Sequence, residues 1–376
     1  MHPVHVLVLH RPATPGDGPL ARLLAGVRAG LAEGQRHGFL AAGADEARVV
    51  TWPADGTPFG TRLRALAADL PGDDGLVVLG SGSLPLARPT DRRRYVEAAR
   101  GPRGTALVNN RYSADAMAIS GLDRLADLPP LPADNALPRW LAEVAGWAVA
   151  DLRGTTRLQL DLDTPLDLVL LAGLPGALPI IRDAAAGLPG PVPERLAALR
   201  AVLADPRAEV VVAGRTSSGT LAALERGAAC RVRALVEERG LRASSRLALG
   251  EDGGARSNFH GSGDQRPPRS VLGLLLDRDG PAALGPLLGE LGEAAVVDTR
   301  ILLAHRLGPD ARAWPAAEDR FASDLLLPER VTNPWLRTLT GSATEAPIPV
   351  LLGGHTLVGP GLRALVATRR AAGPRP

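Results

Sequence analysis

Gly80, Ser81, Gly82 and Ser83 form the stretch of this sequence best suited to hold a ligand. They follow the apolar run Leu76-Val77-Val78-Leu79, which reads as a buried strand. In an open α/β sheet, ligands sit just past the carboxyl end of such a strand. Glycines there admit a ligand to the backbone and serines offer hydroxyls, although an ordinary Gly-Ser turn has the same composition. Asp161 and Asp163 stand two apart in RLQLDLD. On a strand their carboxylates face the same side and could hold Mg²⁺ on a phosphate. A solvated strand end followed by a helix cap is the alternative. Asn109, Asn110 and Arg111 open a polar run directly after the apolar segment TALV, where polar side chains line clefts.

The second half has its own candidates. GRTSSGT, from Gly214 to Thr220, combines a turn with the hydroxyls of Ser217, Ser218 and Thr220. It is either an anion cradle at a helix start or a capping turn. No lysine follows, so it is not a P-loop. Asp298-Thr299-Arg300, His305, Glu318-Asp319-Arg320 with Asp324, and His355 form the richest polar set of this half. The two histidines flank apolar strands, where a histidine is either structural or an acid-base group.

Several elements must position these residues. Val4 to Leu9, Arg48 to Trp52, Leu76 to Leu79 and Thr105 to Asn109 read as strands. Helices alternate with them at Leu20 to Leu40, Gly60 to Leu70 and Asp91 to Arg100. A proline-rich loop feeds a helix with Trp140, Val144 and Trp147 on its apolar side. Arg157 to Leu162 reads as a strand, and Leu166 to Leu171 as a helix capped by Thr164 or Asp163. Further strands are expected at Glu209 to Ala213, Cys230 to Glu237, Val271 to Leu276, Ala294 to Leu303 and Ile348 to Leu352. Helices are expected around Leu221 to Glu225 and over Ala282 to Leu291, and Gly250 to Arg269 reads as a mobile loop. The alternation gives an α/β fold of two domains, each built on a sheet, the first doubly wound and mostly parallel. The first domain spans 1–172, a Pro/Gly-rich junction 173–204, and the second domain 205–376.

Composition narrows the function. The 376 residues include no lysine, which removes any Schiff-base or P-loop lysine. The net charge is only +3, aromatic residues make up 3%, and the arginines are scattered, so a nucleic-acid face is not expected. Cys230 is the single cysteine, which excludes an internal disulfide and a cysteine metal site. No signal peptide and no apolar span of membrane length is visible, so a cytoplasmic protein without a membrane partner is expected. A homo-oligomer through the Trp140–Trp147 helix is an alternative to a monomer.

Residues 1–172 resemble the nucleotidyltransferase and GT-A-like transferase superfamily, in particular molybdenum-cofactor and 2-phospho-lactate guanylyltransferases. Three segments carry the resemblance: HRPATPG from His10 with Arg22-Leu23, LGSGSLPL from Leu79 to Leu86, and LDLDTPLDL from Leu160 to Leu168. The first is similar to a loop that holds nucleotide phosphates, the second to a strand-end Gly-Asp-x-Pro motif, and the third to a closing Asp-x-Asp-Thr-Pro-Glu-Asp-Leu element. The resemblance implies a GT-A-like fold, and a nucleotide (GTP, CTP or a nucleotide sugar) held with Mg²⁺ for transfer to a small-molecule acceptor. It implies Arg11, Gly80 to Ser83, Asn109 and Asn110 as nucleotide contacts. Arg22, Arg111 and Asp163 become catalytic candidates, and Asp161 and Asp163 metal ligands. Ser81 or Ser83 stands where the family has its metal-binding Asp. A non-catalytic protein that keeps the fold, or activity seated in the second domain, are the alternatives. No family is recognised for 205–376.

Overall fold

The structure is a computed structural model describing residues 2–53, 55–237, 269–308 and 310–371. Most of the expected loop of Gly250 to Arg269 lies outside the described residues. The chain divides into two compact units. The first holds 1–16 and 22–162, the second 17–21 and 163–376.

The first unit alternates as β1 (Val4–His10), α1 (Pro19–Ala41, whose first residues count with the second unit), β2 (Glu46–Thr51), α2 (Phe59–Ala67), β3 (Gly75–Gly80), α3 (Pro89–Ala99), β4 (Thr105–Val108), β5 (Ala116–Ser120), α4 (Leu137–Glu143) and β6 (Ala148–Asp151). Its six strands lie in the order β2-β1-β3-β5-β4-β6. All pairings are parallel except those of β5. The two-residue period of the strands divides the core between the two faces of the sheet. Leu7, Leu76, Val78, Met117 and Ile119 face α2 and α4. Val6, Val8, Val77, Leu79 and Ala118 face α1 and α3, where Phe39 meets Tyr95 edge to face at 6.4 Å between ring centroids.

The second unit contains α5 (Pro165–Ala172), α6 (Pro179–Ala186), α7 (Val192–Val202), β7 (Glu209–Gly214), α8 (Ser218–Gly227), β8 (Arg231–Val236), α9 (Val271–Asp279), α10 (Leu284–Gly289), β9 (Ala294–Asp298), α11 (Thr299–Leu307), α12 (Ala317–Asp324), α13 (Pro334–Thr344), β10 (Val350–Gly353) and α14 (Leu362–Ala371). Its four strands run parallel in the order β10-β9-β7-β8. The strands are nearly continuous runs of Val, Ala and Leu, as expected of a parallel sheet covered on both faces. Among the described residues, no helix is long and apolar enough to cross a membrane.

The α/β class and most of the first six expected elements hold. Others are corrected. Val271 to Leu276 forms a helix, not a strand. Ser270 caps it by accepting from the Gly273 N–H, and the apolar run splits into buried Leu272 and Leu276 and exposed Val271 and Leu274. A short apolar run does not by itself distinguish a helix from a strand. Arg157 to Leu162 is not a strand either. It contains a 3₁₀ turn and a single bridge from Asp161 to Ser83, because the Gln159 side chain bonds the carbonyls of Asn109 and Leu152. Of Ala294 to Leu303 only the first five residues are extended; Asp298 caps the helix that follows. The expected junction contains α6 and α7, each with proline in its first turn. The Trp140 helix ends at Glu143, leaving Val144 exposed and Trp147 buried just before β6.

Phe39 is fully buried in the first unit. Phe39→Ala is expected to lower that unit's stability by about 3–5 kcal/mol, seen as an earlier denaturant midpoint.

Candidate functional site

With the antiparallel β5 set aside, each sheet reverses its strand order at one place. In the first unit the reversal lies between β1 and β3, in the second between β7 and β9. Ligand crevices of open α/β sheets form at the carboxyl ends of such strands.

In the first unit, His10 ends β1 and Gly80 ends β3. The His10 Nδ1 lies 3.2 Å from the Ser81 hydroxyl. Burial, and then the Arg28 charge, lower the His10 pKa, so the ring is neutral near pH 7. The Arg28 Nε–H donates to the Leu162 carbonyl at 2.6 Å. A Cβ on Gly82 would lie 2.7 Å from that carbonyl, 3.0 Å from Asp161 Oδ1 and 3.1 Å from Arg28 Nε. Gly82 therefore makes room for the chain's own segment, not for a ligand. Ser81 and Ser83 are buried, and the Gln35 amide donates to the carbonyls of Ser83 and Leu84. The reachable part of this edge is the β1 side, where His10 and Gly80 are half-buried and Arg11 is exposed.

The other first-unit candidates have defined places. Asn109 is buried, with its amide fully engaged. It donates to Asp115 and the Leu158 carbonyl and accepts from the Asp115 and Ala116 N–H groups, which shapes the β4–β5 turn. Asn110 accepts from the Tyr112 N–H. Arg111 is half-buried and Arg22 exposed. Asp161 Oδ1 accepts from the Leu162 N–H. Asp163 is an exposed residue of the second unit. With no strand through 157–162, alternation no longer places the two aspartates on one side. Among the described residues no group of three His, Cys, Asp or Glu side chains could hold a metal.

In the second unit the register sets Gly353 opposite Asp298 on one side, and brings Gly214 level with it on the other. Gly214 has φ +132°, and a Cβ there would meet the Asp298 Cβ at 2.3 Å. Asp298 is buried, with its carboxylate fully enclosed. It accepts from Arg215 Nε at 2.5 Å, Arg215 Nη2 at 3.1 Å and the Arg300 N–H at 3.1 Å. Burial alone would raise its pKa, but Arg215 and Arg300 hold it below the ordinary range. Arg300 pairs in turn with buried Asp324 through Nη1 and, at 2.6 Å, through Nη2. Burial opposes the Arg300 charge, yet Asp324 and Asp298 hold its pKa above the ordinary range.

His355 lies two residues past β10 and two residues before a π-helical turn from Leu357 to Gly361. Such turns recur at functional sites. The Thr216 hydroxyl donates to the Val358 carbonyl of that turn at 2.6 Å. Burial, then Arg215, lower the His355 pKa, while Asp298 and the Arg215 backbone act the other way. Its Nδ1 is buried and has no well-aligned hydrogen-bond partner among the described residues.

The structure thus gathers Asp298, Arg300, Asp324 and His355, which the sequence pointed to, and adds Arg215, which it did not. Arg215 was visible only as one residue of GRTSSGT. Ser217 caps α8, its hydroxyl accepting from the Thr220 N–H, so the capping reading holds there; Ser218 is exposed beside it. His305 has both ring nitrogens engaged, Nδ1 with the Ser270 N–H and Nε2 with Asp277 at 2.9 Å, and is structural. Two surface concavities of about 370 and 350 Å³ also belong to this unit, one beside Ser342 and Glu345 and one beside Arg306 and Trp335; neither includes a candidate residue.

Compared with protein-family models, curated proteins and solved structures, the chain matches none.

Two predictions follow from the second unit's buried charges. Asp167 is fully enclosed and accepts from the Asp163 N–H, the Thr164 N–H and the Thr164 hydroxyl. Burial, then Asp163, raise its pKa to about 7 against an ordinary 3.8. The native state therefore holds this proton more tightly than the unfolded chain. The associated stability is full below pH 4 and falls as pH rises towards 7, by about 4 kcal/mol at most. Asp167→Asn keeps an acceptor for the N–H groups and removes the charge. It is expected to match the wild type near pH 4 and exceed it in stability at pH 8 in denaturant titrations. Gly214→Ala combines positive φ with a clash against Asp298 and is expected to cost more than about 2 kcal/mol, read as a lowered thermal midpoint.

Proposed function

We propose that the protein is a nucleotide-dependent transferase whose first unit binds the nucleotide at the β1–β3 crevice and passes a nucleotidyl or glycosyl group to a small acceptor. The observation that carries this reading is the coincidence of the strand-order reversal with His10, Ser81, Arg28 and Asp161 around one strand-end turn. A polar set at that place is what a phosphorylated ligand needs. The resemblance of residues 1–172 points to the same place.

Because the turn is sealed by Asp161 and Leu162 on the Gly82 side, the nucleotide enters from the β1 side, past Arg11 and His10. The arginines offset phosphate charge, and neutral His10 orients the Ser81 hydroxyl. In nucleotidyl transfer an acceptor oxygen attacks the α-phosphorus, the bond to pyrophosphate breaks, and pyrophosphate leaves with the electron pair. Positioning and charge stabilisation supply the catalysis. Proteins commonly hold Mg²⁺ by one or two carboxylates, with the substrate's phosphates completing the shell, so the lack of a three-residue cluster does not conflict with it. Asp161 is the carboxylate that would hold it, and the ion would neutralise charge on the phosphates.

A thermal-shift screen with GTP, CTP, ATP, UTP and nucleotide sugars, each with and without Mg²⁺, tests this. Ligand at a hundredfold over its dissociation constant stabilises by about 2.7 kcal/mol. One nucleotide is expected to give a Mg²⁺-dependent shift that Asp161→Ala abolishes and His10→Ala weakens. A shift independent of Mg²⁺ would leave binding without transfer, and the absence of any shift would overturn the reading.

A further inference from the structure

Leu303, Arg306 and Leu307 stand at the spacing i, i+3, i+4 on α11, so they share one face of that helix. The face borders the concavity of about 350 Å³, which Trp335 and Pro334 at the start of α13, Asn333 just before them, and Pro315 also line. Four of these seven residues are Leu or Pro, and among the described residues the lining holds no acidic side chain. Leu307 is 39% exposed, and an apolar ligand laid against it would remove that surface from water.

The only charge in the lining is Arg306. Its guanidinium carbon lies 5.2 Å from the centre of the Trp335 ring, and the side chain makes no ion pair or hydrogen bond with the described residues. Asn333 adds a second donor. Its Oδ1 accepts from the Leu336 N–H as the cap of α13, which leaves Nδ2 to donate elsewhere, and no described residue takes that bond.

The donors are held before anything binds. Asp319 accepts from the N–H groups of Thr332 and Asn333, and Arg337 donates to the carbonyls of Val331 and Thr332, so the turn that ends in Asn333 is fixed from both sides. Trp314, directly before Pro315, is buried and donates its Nε1–H to the Gly308 carbonyl at 2.8 Å. The Trp335 ring braces Arg306. Groups fixed in this way lower the ordering cost of a ligand. The aspartates of the surrounding segment do not compete for Arg306: Asp310 pairs with Arg312, Asp324 with Arg300, and Asp319 serves the turn.

We propose that this concavity binds a small organic acid, a carboxylate on a compact apolar body. Arg306 and the Asn333 amide take the carboxylate, and the Leu and Pro side chains take the body. One guanidinium and one amide match the single charge and two oxygens of a carboxylate; a phosphate dianion would keep part of its charge unmatched beside apolar groups. A volume of about 350 Å³ is at the small end of ligand pockets, which suits a body of one ring or a short chain. The inference stands on the second unit alone and does not depend on nucleotide binding by the first.

The test titrates the full chain at neutral pH and constant ionic strength with phenylpropionate and, separately, with hexanoate. The heat of binding and the tryptophan fluorescence are followed. At least one of the two acids is expected to bind saturably, with a dissociation constant of about 1 mM or below. The neutral amide of that acid, and acetate, which lacks the body, are each expected to bind at least tenfold more weakly. Arg306→Gln changes an exposed residue and is expected to weaken binding at least tenfold with the thermal midpoint unmoved. Asn333→Asp keeps the cap on α13 but exchanges the donor for a negative charge, and the same loss is expected. Arg278→Gln removes an exposed arginine elsewhere in the unit and is expected to change nothing. The proposal is overturned if neither acid binds saturably up to about 10 mM. It is equally overturned if the amide or acetate binds as well as the acid, if binding survives in either site variant, or if Arg278→Gln weakens it as much as they do.

Discussion

Asp298 keeps a negative charge where no solvent reaches it. An isolated carboxylate in that setting would be prohibitively costly, so everything near it is arranged to answer the charge. Arg215 meets it side-on from the end of β7, and the Arg300 backbone N–H meets it from the start of α11. The Arg300 side chain then needs its own counter-charge, which Asp324 at the end of α12 provides. One buried charge therefore fixes the relative positions of β7, β9, α11 and α12. Replacing such a chain by apolar residues can be neutral for stability, so its stability value does not explain its presence. What it does supply is an arginine held side-on against the end of a central strand.

The first unit meets the same topological demand with little charge. Its turn is built from hydroxyls and glycines, and the neighbouring chain covers it: the Leu162 carbonyl, Asp161 and Arg28 all crowd Gly82. The glycine is required by this packing, as at Gly214, where the neighbour is the Asp298 side chain. In both places the glycine admits the protein's own atoms, although at Gly82 the sequence had suggested room for a ligand. In the first unit the open approach lies beside the turn, at the strand that ends in His10.

How much of this could be read in the sequence depends on whether the signal was local. The first four expected strands of the first unit announce themselves through apolar runs and formed as expected, whereas β5 and β6 were not anticipated and Arg157 to Leu162 formed no strand. β5 was missed because it follows a polar run and pairs antiparallel, a choice dictated by Asn109 drawing the Asp115 and Ala116 N–H groups back upon β4. Val271 to Leu276 misled because an all-apolar segment lacks a period; the cap at Ser270 was the only local sign of a helix. The Asp298 cluster was legible in part. Its members were noticed as polar residues after strands, but the pairing of residues 83 apart in Arg215–Asp298 arises from sheet register, which no local pattern encodes.

Electrostatics also separates what the two edges can do. At the first, the turn is met by Asp161 and Arg28 and by a histidine kept neutral by burial and by Arg28. At the second, the arginine is already in place, its carboxylate partner cannot move, and the histidine beside it is neutral with one nitrogen lacking a well-aligned partner among the described residues. A preorganised donor loses little freedom when a ligand arrives, whereas a long exposed side chain such as that of Arg11 loses more. The two crevices share a topology, but the buried carboxylate makes only the second rigid before anything binds. That difference follows from one residue, Asp298, standing at the end of a central strand between two glycines.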